Sequence, residues 1–164
     1  FKMIINKPKN ILKYFLVGVL FMLITTGCDK NRVYEQYLSV DSAGWHKDSL
    51  LVFDFEIDNS NQAYNLLLNV RNIEAYSYSN LWLFADIIAP DSTSVRDTLE
   101  YTLAYPNGKW TGQGASGVYN NSFVFRSNVF FPVQGNYRFV IQQAMRNDLL
   151  KGITNVGLRI EKKQ

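Results

Sequence analysis

Val52-Phe53-Asp54-Phe55-Glu56-Ile57 and Tyr64-Asn65-Leu66-Leu67-Leu68-Asn69-Val70-Arg71 decide the fold of this 164-residue chain. In the first stretch Phe53, Phe55 and Ile57 alternate with Asp54 and Glu56. In the second, Tyr64, Leu66, Leu68 and Val70 alternate with Asn65, Leu67, Asn69 and Arg71. Side chains of an extended chain point to opposite faces in turn, so a period of two means a strand with one dry face and one wet face. The polar run Asn59-Ser60-Asn61-Gln62 lies between the two and predicts a turn, making the pair a hairpin or a tight corner.

The same pattern extends outward along the chain. Leu81 to Ile88 is more continuously apolar and predicts a central strand covered on both faces. Asp97 to Ala104, Phe123 to Phe131, Tyr137 to Gln142 and Val156 to Glu161 read as further strands. They are punctuated by Pro90-Asp91-Ser92-Thr93-Ser94, Pro106-Asn107-Gly108, Pro132 and Gly135-Asn136. Gln143 to Leu150 carries the helix formers Ala144, Met145, Arg146, Leu149 and Leu150, with Gly152 placed to stop them, and predicts one short helix. The sum is an all-β chain of about eight strands and a short C-terminal helix. It predicts a two-sheet, jelly-roll-like β-sandwich capped at one end by the helix, with a closed barrel as the alternative.

The N-terminus has a different construction. Lys2, Lys7, Lys9 and Lys13 precede the apolar run Tyr14 to Ile24, then Thr25-Thr26-Gly27, then Cys28. Positive charge, a short apolar core and small residues in that order mark a signal peptide. The run is about half the roughly 20 residues that span a bilayer. Gly27 before the sole cysteine predicts a bacterial lipobox with Cys28 as the acylated residue, although Thr25 departs from the usual aliphatic residue. The predicted organisation is a signal peptide over 1–27, a lipidated N-terminus and tether over 28–44, and a sandwich over 45–164. Within the tether, Val33 to Tyr37 is a candidate edge strand.

Composition then excludes several classes. The leader holds four lysines and no acid, so totals of 17 Lys+Arg and 14 Asp+Glu become 13 against 14 in the remaining 137 residues. A net charge near −1 offers nothing to track phosphates, and nucleic acid is not an expected partner. A domain of this length can build a core without disulfides, and no cysteine pair exists to make one.

Few residues are patterned for catalysis or metal binding. His46 is the sole histidine, no Gly-x-Ser-x-Gly elbow is present, and one histidine cannot build a typical zinc site. Asp86, Asp91, Asp97 and Glu100 surround the Pro90 turn, and two facing carboxylates would suffice for a glycosidase, yet loop acids are commonly just solvated. Neither cofactor nor metal is expected. The loop Gly108-Lys109-Trp110-Thr111-Gly112-Gln113-Gly114 leads into no helix that could receive phosphate. Trp110 is either packed over the core or an aromatic contact anchor. Tyr76, Tyr78 and Trp82 form a second aromatic group, which either stacks on a sugar or protein partner or covers the sandwich edge.

Several segments taken together resemble the GldH family of gliding-motility lipoproteins. They are the Cys28 leader, Arg71 with Tyr76 to Phe84, the Gly108 to Gly112 loop, Gln143 to Asp148, Leu150, Gly152-Ile153 and Gly157-Leu158-Arg159-Ile160. The resemblance covers essentially all of the chain from Cys28. It implies a lipid-anchored cell-envelope protein, facing the periplasm, that serves gliding. It further implies a link to type IX secretion and surface adhesin movement, other envelope proteins of that machinery as partners, and no catalytic residue. A carbohydrate- or peptidoglycan-binding module is the alternative.

Overall fold

A computed structural model describes residues 29–164; the leader and Cys28 lie outside the described residues. Eleven strands are present among the described residues: β1 (Arg32–Ser39), β2 (Trp45–His46), β3 (Leu51–Ile57), β4 (Tyr64–Ile73), β5 (Asn80–Ile88), β6 (Ser94–Thr102), β7 (Gln113–Ala115), β8 (Val118–Val129), β9 (Gly135–Gln143), β10 (Leu149–Leu150) and β11 (Ile153–Lys162). One sheet runs β1-β11-β4-β8-β7, a second β3-β9-β5-β6, and β10 pairs with β2. All these pairings are antiparallel.

Eight of the strands have seven or more residues. Counting only these in chain order, the first pairs with the last, the second with the seventh, the third with the sixth and the fourth with the fifth. That nesting is a long hairpin rolled up, the jelly-roll arrangement of a sandwich.

The alternating residues account for the core. Phe53, Phe55 and Ile57 are buried while Asp54 and Glu56 are exposed. Tyr64, Leu66, Leu68 and Val70 of β4 face them from the other sheet, with Val156, Leu158 and Ile160 of β11. Tyr137, Phe139 and Ile141 complete the interior from β9, with Leu81, Leu83 and Ala85 from β5. Ring contacts tie the sheets together: Tyr34 to Phe55 at 5.8 Å, Phe125 to Phe139 at 5.3 Å, and Tyr101 stacked on Phe123 at 4.2 Å. Arg126 of β8 pairs with Asp97 of β6 near that last stack.

Three expectations need correction. The helix over Gln143 to Leu150 does not form. Gln143 is buried and ends β9; its Oε1 accepts the Met145 N–H (2.8 Å) and its Nε2 donates to the Asn147 carbonyl (2.8 Å). These bonds shape an open loop, and Leu149 and Leu150 then pair with His46 and Trp45. Five good helix formers in an eight-residue stretch do not overcome the cost of nucleation when tertiary partners compete. Gly152 therefore stops no helix. It has φ +90°, and a side chain there would collide with the Tyr76 backbone. Second, β5 is not covered on both faces: Trp82 is exposed on its outer side. Third, the candidate edge strand over Val33 to Tyr37 does form, as Arg32–Ser39 hydrogen-bonded along β11, and with the compact unit running from Asn31 to Gln164 it places the start of the sandwich ahead of residue 45.

Phe139 is fully buried, with Phe53 and Phe125 as ring neighbours. Phe139→Ala should destabilise the domain by about 3–5 kcal/mol, read as a lower denaturant midpoint at unchanged slope. Burial, with Asp97 second, pushes the Tyr101 phenol up to about 12. A pKa raised in the folded state means stability present below about pH 10 and lost as pH rises toward 12. Tyr101→Phe, which keeps the stack on Phe123, should flatten the alkaline fall in melting temperature over that window.

Candidate functional site

β4 leaves the sandwich at Ile73, and the chain turns there as the Tyr76 N–H donates to the Ile73 carbonyl (3.0 Å). The turn drops the Tyr76 ring into the core, in the same cluster as Leu150 and Ile153. Its hydroxyl donates to the Asn80 carbonyl (2.7 Å), and burial, with Tyr78 second, holds the phenol well above its ordinary pKa. Tyr78 sets its ring edge-on to Tyr76 at 5.7 Å and donates its hydroxyl to Asn147 Oδ1 (2.6 Å). Trp110 lies on the other side, 6.4 Å from Tyr76 and 5.5 Å from Tyr119. Four rings thus run in sequence as Tyr119, Trp110, Tyr76 and Tyr78.

The Trp110 loop is built from close approaches. Tyr105 to Gly108 forms a turn, Ala104 bridges to Trp110, and the Thr111 N–H donates to the Leu103 carbonyl (2.9 Å). The Thr111 hydroxyl reaches Asn121 Oδ1 (3.1 Å). A Cβ on Gly112 would come within 2.7 Å of that same oxygen, and one on Gly114 would run into the Val118 carbonyl. Glycine is needed at both positions so that the loop can lie on β8. Trp110 is partly buried against Tyr76 and Tyr119, with a packing role on that side.

Trp82 is placed differently. The residue is 37% exposed on the outer face of β5. It borders a cleft of about 410 Å³ lined by Tyr78, Asn80, Ala144, Met145, Arg146 and Asn147. The loop that replaces the expected helix forms the far wall: the Ala144 N–H donates to the Trp82 carbonyl (2.8 Å), and Met145 Sδ accepts the Trp82 N–H (3.3 Å). The cleft is mixed, with indole, phenol and thioether surface beside amides and one guanidinium.

The charged candidates are engaged locally. Asp86 takes a bidentate bond from Arg96 (2.8 and 2.7 Å), Asp97 pairs with Arg126, and Glu100 accepts from Asn80 (2.6 Å). Asp91 caps its own turn through Thr93, whose hydroxyl holds the carboxyl below its ordinary pKa. His46 Nδ1 accepts the Asp48 N–H (3.2 Å). Among the described residues, no group of three or more His, Cys, Asp or Glu side chains gathers to hold a metal ion. No helix among them is long and apolar enough to cross a membrane.

A second concavity was not anticipated from sequence. On the outer face of the five-stranded sheet a groove of about 540 Å³ is lined by Tyr37, Asn69, Arg71, Gln113, Asn120 and Ser122, among others. These residues come from β1, β4, β7 and β8, and only the register of the sheet brings them together.

Comparison with known proteins gives a consistent answer. A family profile described as GldH lipoprotein matches residues 32–160. The gliding motility lipoprotein GldH homolog of Christiangramia forsetii is 41% identical over 153 residues, covering 89% of this chain and 93% of that protein. The gliding motility lipoprotein GldH of Flavobacterium johnsoniae is 38% identical over 155 residues, covering 89% and 96%. Among solved structures, infectious bursal disease virus Gx strain aligns with 78% of this chain and 30% of its own at 16% identity. Its TM-score is 0.34, too slight a likeness to bear an argument.

The two tryptophans should separate on truncation. Trp110→Ala removes a ring packed on Tyr76 and should cost about 2–4 kcal/mol by chemical denaturation. Trp82→Ala removes an exposed ring and should cost less than about 1 kcal/mol. Equal losses would mean that the two rings are packed alike.

Proposed function

The chain belongs to the GldH lipoprotein family, and from that premise we propose that it is a lipid-anchored envelope protein that supports gliding motility. The observation that carries this reading is identity of 38–41% to gliding motility lipoproteins over 89% of the chain. In this proposal Cys28 carries the lipid and residues 1–27 are removed. The domain acts by binding rather than catalysis, in company with the envelope components that secrete and move surface adhesins through type IX secretion.

Acyl chains contribute about 0.8 kcal/mol per buried methylene, so two or more give a stable anchor. Confinement at a membrane raises the effective concentration of the domain for other confined partners. Within the domain, Trp82 and Tyr78 are the proposed contact residues, with Tyr76 and Trp110 behind them. Trp and Tyr in such clefts are favoured anchors of protein interfaces.

The test replaces the chromosomal gene in the organism's own cells. Cys28→Ala should abolish labelling by a fatty-acid probe, release the protein from the membrane fraction and stop colony spreading. A variant that still carries lipid would overturn the anchor, and one that loses lipid but spreads normally would overturn the need for it. Trp82→Ala should leave protein abundance unchanged while slowing spreading.

A further inference from the structure

The outer face of the five-stranded sheet is ordered in rows by strand register. One row is Tyr37, Gly157, Asn69 and Ser122; the next is Ser39, Asn155, Arg71, Asn120 and Gln113. Gly157 is the reason these rows form a groove. A Cβ there would sit 2.6 Å from Tyr37 Cδ1, so the missing side chain lets the tyrosine ring lie down across β11. The Arg71 guanidinium stacks on that ring, with Cζ 4.9 Å from its centroid. Arg71 Nε donates to Asn120 Oδ1 (2.6 Å), and Asn120 Nδ2 reaches the Gln113 carbonyl (3.4 Å). The groove is therefore held in shape by its own members.

Asn69 is a nearly buried amide in the groove lining. It lines the groove and is 93% buried, yet its Nδ2 has no hydrogen-bond partner. A buried donor left unmade is costly and uncommon in a folded protein. It lies next to Ser122 and one row from Arg71 and Asn120, and Asn72 Nδ2 inside the sandwich is unpaired in the same way.

We propose that this groove binds a saccharide, with the exposed part of the Tyr37 ring as its apolar contact and Arg71, Asn120 and Ser122 as the hydrogen-bonding rim. A sugar ring presents a face of C–H groups and an edge of vicinal hydroxyls, each both donor and acceptor. The lining answers that pattern with a phenol ring 39% exposed, several amides, a hydroxyl and a guanidinium. It includes no carboxylate, and Arg71 is its single cation. A polyphosphate would call for more positive charge, and an apolar ligand would leave the amides unpaired. The volume falls within the range of small-ligand sites and has room for a short oligosaccharide.

The experiment titrates the full mature protein in detergent micelles with the N-acetylglucosamine tetramer, cellotetraose and tetragalacturonate, and with an acidic tetrapeptide. Binding is followed by calorimetry and ligand-observed NMR. At least one glycan should bind with a dissociation constant of about 1 mM or tighter. Tyr37→Ala and Arg71→Gln should each weaken it by about tenfold or more. Ser122→Trp, an exposed strand position, should fill the groove and block binding without disturbing the Tyr37–Arg71 stack. Melting temperature is measured for each variant, and Ser122→Trp decides the matter if the others fold poorly. The inference is overturned if no glycan binds at about 10 mM, if binding survives both Tyr37→Ala and Ser122→Trp, or if the peptide binds in preference to every glycan. These outcomes are independent of the lipid-labelling and spreading result for Cys28→Ala.

Discussion

The apolar interior shared by the two sheets is the constraint on which everything else depends. Each long inner strand contributes every second residue to it, as Phe53, Phe55 and Ile57 do from β3 and Tyr137, Phe139 and Ile141 from β9. Because the side-chain period is two, a slip of one residue in any strand would send its core set into water and its polar set inside. Nested pairing multiplies the effect. A slip in β11 would misalign both β1 and β4, since β11 bonds to each. The outer-face rows that make the Tyr37 groove are thus a by-product of the inner register, and only residues already facing away from the core could become a site.

Among the described residues four polar side chains are buried, Asn69, Asn72, Asn121 and Gln143, and two of them form a bonded pair. Asn72 and Asn121 are buried between β4 and β8; Asn121 Nδ2 donates to Asn72 Oδ1 (2.9 Å) and to the Val70 carbonyl (3.2 Å). Thr111 joins them from the loop that carries Trp110. A partly satisfied buried network contributes less stability than apolar packing of the same volume, but it fixes geometry. Here it pins the Trp110 loop onto β8, which holds the Trp110 ring against Tyr76 and positions β7. The aromatic run and the edge of the groove rest on the same bonds.

The division between what was legible in sequence and what was not follows from range. Strand alternation is written into adjacent residues, and Phe53 to Ile57, Tyr64 to Val70 and Tyr137 to Ile141 all face the core as read. The helix over Gln143 to Leu150 failed because local propensity cannot reveal that Gln143 will bond Met145 and Asn147, or that Leu150 will pair with Trp45. Trp82 and Trp110 look alike in composition, yet one is open and the other packed on Tyr76, and that difference comes from partners distant in the chain. Tyr37, Asn69 and Asn120 carried no local signal. The one clue was Gly157, a glycine inside an apolar strand, which often marks close approach of another group.

The same logic relates the two concavities to the anchor. Only residues 29–31 separate Cys28 from the start of β1. In the proposed lipid-anchored form these three residues are the whole connection between the acylated residue and β1. Tyr37 belongs to β1, whereas the wall of the Trp82 cleft comes from the loop after β9, more than a hundred residues later. A short connection of this kind restricts the orientations the domain can take, which favours partners that are themselves held at the membrane. The two concavities also differ in chemistry: the groove fixed by sheet register is lined by amides, a hydroxyl and a guanidinium, while the cleft beside Trp82 offers indole, phenol and thioether surface.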